Sequence, residues 1–336
     1  MFEQFLIILN LLAQDVRLPL GLNEPLIQAT EEFAAKPELP IIADDSTQFA
    51  SGPRNAPAPL PLIDKKTLTA ADDVAIEAER MILIDTDSAK VLLEKNSDEP
   101  AAMASIAKLM TVLVALREAD ELDQELTVPK EVGTLDPEGT AAGLQIGDTL
   151  TVRELLKAVL VGSANDAAIT LADGLAGSEK NFVKKMNERA KELGLFDTTF
   201  ANATGLDAKD NISTARDLAF LLLEAQKQPL VREFSALKQA TLESEEGLAY
   251  YVSATNKLLA DSDVSIVAAK TGHTDRAGSS VAVEAAEDGH RLIAVILASP
   301  DRFGEAEKLL HYGFSTFVWP TRGANFADDS NVDFGG

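Results

Sequence analysis

A serine and a lysine three residues apart, Ser105-Ile106-Ala107-Lys108, open one of the most apolar stretches of the chain, SIAKLMTVLVALRE. Residues at this spacing share a helix face, so the hydroxyl and the amine can meet. A serine hydroxyl is a weak nucleophile until a neighbouring base takes its proton. A lysine amine packed among Leu109, Met110 and Val112 has its charged form disfavoured and can serve as that base. A helix N-terminus at the same place offers backbone N–H groups to developing negative charge. Alone the pattern is weak, since S-x-x-K arises by chance about once per 300 residues at ordinary composition. A second copy, Ser235-Ala236-Leu237-Lys238, is present.

Two further triplets occur once each. Ser163-Ala164-Asn165 follows Gly162, a helix breaker, and falls in an interhelical loop whose side chains can point into a cleft. A hydroxyl there can relay a proton, and an amide can hold both a substrate carbonyl and a lysine. The plainer alternative is a helix N-cap, Ser or Asn ahead of Asp166-Ala167-Ala168. Lys270-Thr271-Gly272 ends a strand-like run. A strand edge ending in Gly lets an extended peptide approach closely, and Lys and Thr there can bind a carboxylate. The alternative is an exposed basic residue at a strand end. The three triplets follow in the order S-x-x-K, S-x-N, K-T-G, each on the element its role requires. The copy at Ser235 lies after the S-x-N and outside a buried helix start.

The elements that position these residues are legible from periodicity and turn chemistry. Arg80–Ile84 and Lys90–Leu93 read as strands around a turn at Thr86-Asp87-Ser88. Ser105–Glu118 is apolar almost all round, a helix buried in the core. Leu150–Val161 is a second helix with Thr149 or Thr151 as its cap. Ser178–Leu193 is amphipathic, with Phe182, Met186 and Leu193 inward and Gly194 as terminator. Asp217–Gln226 continues the helical block. Ser265–Lys270, Ser280–Glu284 and Arg291–Ser299 read as strands, with Asp288-Gly289 as a hairpin turn, and a last helix covers about Glu305 to Phe317. Strands from both ends of the domain with helices between them imply an α+β fold. It has a mainly antiparallel sheet flanked by helices, with an inserted all-helical lobe and a cleft between the two.

Outside this region, residues 1–19 contain an apolar run, FLIILNLLA, which reads equally as a leader or anchor or as an ordinary helix. Residues 20–75 are rich in Pro, Ala and acidic residues and read as an extended linker. Residues 76–320 form the folded domain and 321–336 a polar tail. The chain has 336 residues and 30 Lys+Arg against 54 Asp+Glu, a net charge of −24 that argues against a nucleic-acid partner. It argues equally against electrostatic docking on anionic lipid. No cysteine is present, which excludes disulfides and thiolate chemistry. His273, His290 and His311 are scattered without an H-E-x-x-H pattern, so no metal site is expected.

The triplet set, together with GSANDAA, NATGLD, STARDLA, TNKLL, KTGHTDRAG, RLIAVIL and KLLHYGF, resembles the catalytic domain of serine-type D-alanyl-D-alanine carboxypeptidases. These are the low-molecular-weight penicillin-binding proteins, which share S-x-x-K and K-T-G with class A β-lactamases. The matching stretches run in order from about Arg80 to Phe317. The resemblance implies the β-lactamase/penicillin-binding transpeptidase-like fold and removal of the terminal D-Ala from peptidoglycan pentapeptide stems, with no cofactor. By motif position, Ser105 is implied as nucleophile, Lys108 as general base and Ser163 as proton shuttle, with Asn165 orienting substrate and Lys108. Gly272 completes the strand that presents substrate. The backbone N–H groups of Ser105 and His273 are implied as oxyanion donors, and Lys270, Thr271 and Arg302 as carboxylate binders.

Peptidoglycan stem peptides are thus the expected partner and β-lactams the expected covalent inhibitors, on the extracytoplasmic side. The protein would be secreted or N-terminally anchored, and membrane association would run only through the N-terminus, because no amphipathic helix follows Phe317. Three alternatives stay open: a DD-endopeptidase using the same triplets on cross-links, a β-lactamase, and a catalytically silent wall-binding relative. The β-lactamase is disfavoured, because no E-x-x-L-N-like segment follows Ser163. A Ser-His-Asp hydrolase is disfavoured too, because no G-x-S-x-G elbow is present.

Overall fold

The structure is a computed structural model and describes residues 63–64, 74–135 and 139–319. Its frame is a five-stranded sheet built from β1 (Arg80–Asp85), β2 (Val91–Lys95), β3 (Ser265–Thr274), β4 (Gly278–Glu287) and β5 (His290–Leu297). The order across the sheet is β3-β4-β5-β1-β2, and every pairing is antiparallel. The first two strands thus close a sheet that the last three complete, as the distribution of strand signals along the chain predicts.

Both faces of the sheet are covered, which explains why β1 and β5 read as unbroken apolar runs and not as alternation. Ile82, Ile84, Ile293 and Val295 face the helical lobe. Met81, Leu83, Leu292 and Ile296 face the opposite side, against Leu309, Leu310 and Phe314 of α7 (Arg302–Thr316). This helix starts three residues before the expected Glu305, because Asp301 caps it by accepting from the Gly304 N–H at 3.1 Å. Glu305 lies in the first turn, where a carboxylate is favoured, and accepts from the Ala78 N–H at 3.1 Å and the Ser299 hydroxyl at 2.5 Å.

Between β2 and β3 run α1 (Lys108–Glu118), α2 (Val152–Val161), α3 (Asn165–Ala176), α4 (Glu179–Glu192), α5 (Ala215–Ala225) and α6 (Pro229–Ser235). Thr151, Ser178 and Thr214 cap α2, α4 and α5 through the N–H groups of Glu154, Asn181 and Asp217. Phe182, Met186 and Leu193 are buried as the amphipathic pattern requires. Burying each such side chain contributes about 1.5–3 kcal/mol. The helical lobe also carries short ladders that periodicity did not show: Ala101–Ala102 with Ile212–Ser213, Glu125–Thr127 with Thr149–Thr151, and the hairpin of Gln239–Glu243 with Ala249–Ser253.

The leader at 1–19, most of the stretch read as linker, and the tail at 321–336 lie outside the described residues. Within that linker stretch, Ile63 and Asp64 pair with Val318 and Phe317, and Val74 is buried. Among the described residues no helix is long and apolar enough to cross a membrane.

Candidate active site

Ser105 does not sit on the α-helix itself. A 3-10 turn, Ala104–Ala107, precedes α1, and Lys108 is the first α-helical residue. The tighter turn helps the pairing, because residues i and i+3 eclipse at three residues per turn. Ser105 Oγ lies 2.8 Å from Lys108 Nζ. Ser105 is partly open to solvent whereas Lys108 is fully buried.

Lys108 Nζ has two other neighbours, Asn165 Oδ1 at 2.6 Å and the Thr204 carbonyl at 2.7 Å. Both can only accept, so the amine donates to each of them. As an ammonium, Nζ donates to Ser105 Oγ as well; once neutral it keeps two N–H groups for Asn165 and Thr204 and turns its lone pair to the Ser105 hydroxyl. Burial lowers the Lys108 pKa well below its ordinary 10.5, and the nearby Lys270 charge adds to the effect, while Asp166 opposes it.

Ser163-Ala164-Asn165 joins α2 to α3, as the Gly162 break predicts. Neither polar residue serves as a cap: the N-cap of α3 is Ala164, and no side chain caps it. Ser163 is instead 3% exposed, with its Oγ accepting from Lys270 Nζ at 2.6 Å. Its φ of 56° lies in the left-handed region, a conformation that costs a non-glycine residue about 1 kcal/mol or more. The Ala104 φ of 47°, immediately before Ser105, is of the same kind. One strained residue thus precedes Ser105 and the other is Ser163 itself.

Lys270 and Thr271 lie on β3, the sheet edge that faces the helical lobe. Lys270 is buried and its pKa is lowered to about 7, by burial first and then by the Arg302 guanidinium. The Thr271 hydroxyl meets that of Thr255 at 2.6 Å. Gly272 allows the edge to approach the nucleophile turn: a Cβ there would lie 2.8 Å from Ala104 Cβ and 3.2 Å from both Met103 O and Ser105 N. Gly205, at φ +80°, is equally constrained, since a Cβ would fall 2.0 Å from Ala104 O. Arg302 Nη1 donates to the Gly272 carbonyl at 2.7 Å. His273 is exposed, with its ring Nδ1 3.2 Å from Ser279 Oγ.

The structure therefore brings the sequence-predicted site residues together in two hydrogen-bonded groups, Ser105, Lys108 and Asn165 in one and Ser163 with Lys270 in the other, with Thr271, Gly272 and His273 on β3 and Arg302 bonded to its Gly272 carbonyl. The copy of S-x-x-K fails as expected, because Ser235 ends α6 and Lys238 lies beyond it. Sequence reasoning missed Thr204, whose backbone carbonyl carries no side-chain signal, and Thr255, which lay unassigned inside the TNKLL stretch.

The comparisons with known proteins bear on the family and the fold. The family model described as D-alanyl-D-alanine carboxypeptidase, peptidase S11, matches residues 65–301. D-alanyl-D-alanine carboxypeptidase DacC of Escherichia coli is 37% identical over 283 residues, covering 78% of this chain and 70% of that protein. DacF of Bacillus subtilis is 33% identical over 252 residues, covering 73% of this chain and 64% of that protein, so the chain spans just under two thirds of this relative's length. Among solved structures, the Streptomyces K15 DD-transpeptidase superposes with a TM-score of 0.69 at 29% identity, over 74% of this chain and 100% of that one. With the fold and the family model both covering most of the chain, it belongs to the peptidase S11 family of D-alanyl-D-alanine carboxypeptidases.

Proposed function

We propose that this chain is a serine DD-carboxypeptidase that removes the terminal D-Ala from peptidoglycan pentapeptide stems. The observation that carries the reading is the contact set at Lys108 Nζ: two obligate acceptors and one serine hydroxyl around an amine whose pKa burial lowers well below the ordinary range. In this reading Ser105 Oγ attacks the carbonyl of the penultimate D-Ala and its proton passes to Lys108. The oxyanion lies between the backbone N–H groups of Ser105 and His273, and the missing Cβ of Gly272 lets the strand that carries His273 approach the Ser105 turn.

The proton held by Lys108 then passes by way of Ser163, bonded to Lys270, to the departing amine of the terminal D-Ala, and the C–N bond breaks to leave an ester on Ser105 and Lys108 neutral again. Water then attacks the ester, with Lys108 again taking the proton, and Ser105 is regenerated. Asn165 orients Lys108 and the substrate amide. Lys270, Thr271 and Arg302 supply a positive island for the terminal carboxylate within a chain of net charge −24.

A β-lactam would acylate the same serine. The reading places residues 76–320 as the catalytic domain, acting on the cell-wall side of the membrane. Fluorescent penicillin tests it: wild type should label covalently and Ser105→Ala should not. Equal labelling of both would remove Ser105 as nucleophile. Incubation with pentapeptide and with cross-linked dimer muropeptides then distinguishes carboxypeptidase from endopeptidase by which of them releases product, and sustained nitrocefin turnover would indicate a β-lactamase.

A further inference from the structure

The residue after the S-x-N triplet, Asp166, has no role in the chemistry above, yet it is the most fully bonded carboxylate near it. It is 1% exposed. Its Oδ1 accepts from the N–H groups of Ala142 at 3.0 Å and Ala167 at 2.9 Å, and its Oδ2 from those of Gly143 at 2.8 Å and Leu144 at 2.9 Å. Three of these donors belong to the loop that leads into Glu125–Thr127's partner strand, Thr149–Thr151. The same loop bonds back: the Thr140 carbonyl accepts from the Asn165 N–H at 2.9 Å. Adjacent residues of the α3 first turn therefore hold one loop from both directions, Asn165 as donor and Asp166 as acceptor.

A buried carboxylate needs such partners, because an unpaired charge in the interior costs several kcal/mol. Four backbone N–H groups satisfy it without a cation. Its negative charge is thus not cancelled locally and acts on its surroundings, and the first turn of a helix favours it further. The side chain of the preceding residue, Asn165, contacts Lys108 Nζ.

We infer that Asp166 is a positioning residue for acyl transfer: its carboxylate clamps the loop at Ala142–Leu144 onto the S-x-N turn, fixes Asn165 against Lys108, and adds a negative charge to the surroundings of the Lys108 amine. The inference rests on the reading of Lys108 as general base. The charged groups acting on Lys108 are Lys270 on β3, which lowers its pKa, and Asp166 on α3, which raises it. Its direct partners, Ser105 Oγ, Asn165 Oδ1 and Thr204 O, are uncharged.

The test is the pH dependence of Ser105 acylation by fluorescent penicillin. Acylation needs neutral Lys108, so its rate rises with pH through the pKa of that amine. Asp166→Asn removes the charge that stabilises the ammonium and turns an N–H donor toward the loop amides. The expected result is acylation slowed about tenfold or more, with the acid limb moved to lower pH. Asp166→Glu keeps the charge and displaces the carboxylate, so it should slow the reaction and leave the limb in place. A purely structural role would lower the rate at every pH and move no limb. A folded Asp166→Asn variant whose acid limb coincides with that of wild type overturns the proposal, while labelling at Ser105 in that same variant shows the underlying reading intact. Amide hydrogen exchange of the wild type checks the clamp without any substitution. The Ala142, Gly143 and Leu144 amides should be protected about tenfold or more, and exchange at the rate of free loop amides would likewise overturn it.

Discussion

Replacing Lys270 by methionine is expected to inactivate the protein and stabilise it. Lys270 is 1% exposed, and its pKa falls from the ordinary 10.5 to about 7 in the folded state. In the unfolded chain the amine titrates at about 10.4. Between those two values the unfolded chain holds the proton and the folded chain does not, so stability rises with pH by about 1.4 kcal/mol per pH unit. Below pH 7 the full cost of the buried charge is present, about 5 kcal/mol over this range, and it is gone above about pH 10.4.

Methionine fills much of the same space without a charge. It forfeits the bonds to Ser163 Oγ and the Thr271 carbonyl, about 1 kcal/mol each. The difference is a net gain of about 3 kcal/mol in acid, or a rise in Tm of about 6–12 °C for a domain of this size. Thermal melts of both proteins between about pH 6 and 9.5 measure it: the gap should hold below pH 7, shrink above it, close at about pH 9 and reverse beyond. Fluorescent penicillin labelling, run alongside, should be lost. A variant that melts below wild type near pH 6, or a gap that does not change with pH, would refute the reasoning, because either result means that Lys270 is not a desolvated charge in the folded state.

Two further outcomes are expected. Gly272→Ala puts a Cβ 2.8 Å from Ala104 Cβ and 3.2 Å from Ser105 N, so the β3 edge must retreat from the nucleophile. Acylation should slow about 100-fold and stability should fall by about 1–3 kcal/mol, as read by stopped-flow labelling and a melt; labelling at the wild-type rate would show that this contact does not set the edge. Arg302→Leu removes the like charge that helps lower the Lys270 pKa and the donor on the Gly272 carbonyl. The Lys270 pKa should rise above 7, narrowing from below the pH range over which stability climbs. Pentapeptide turnover should weaken mainly through KM, as steady-state kinetics will show.

The parts of this site that could be read from the sequence are those whose signal is local. Ser105 and Lys108 announce themselves by a three-residue spacing inside an apolar run. Gly162 marks the break that exposes Ser163, and Asp288-Gly289 marks the turn between β4 and β5. Residue type narrows the cap of α2 to Thr149 or Thr151, and the structure uses Thr151. What escaped is non-local or carried by the backbone. The Thr204 carbonyl reaches Lys108 from almost a hundred positions away and would look the same with any side chain at 204. The ladders at Ala101–Ala102 and Glu125–Thr127 are too short for a period to show. The hairpin at Gln239–Ser253 had a visible cue in Ala249-Tyr250-Tyr251-Val252, with alternate residues buried, but it lies in the stretch between the helix at Asp217–Gln226 and the strand at Ser265–Lys270, to which periodicity assigns no element. The 3-10 start at Ala104 was hidden for a different reason: its i, i+3 pairing is the same one that an α-helix would give.

The site is also where the fold carries its least favourable local features, and their arrangement explains why they persist. Lys108, Lys270 and Arg302 all have pKa values lowered by burial, so each destabilises the folded state in its charged form. Ala104 and Ser163 hold left-handed backbone with full side chains. None of these would survive in a site that was free to relax. They are held by close approaches with no slack, Gly205 against Ala104 and Gly272 against the turn before Ser105, and by a sheet packed on both faces behind them. A protein with 24 more acidic than basic side chains has ample carboxylates to neutralise two buried lysines and a half-buried arginine, yet among the described residues only Asp166 acts on this group from inside. Pairing each lysine with a carboxylate would relieve the strain and raise both pKa values, and the neutral amine needed beside Ser105 would be lost. The missing counter-charges are therefore the condition under which Lys108 can take a proton at all.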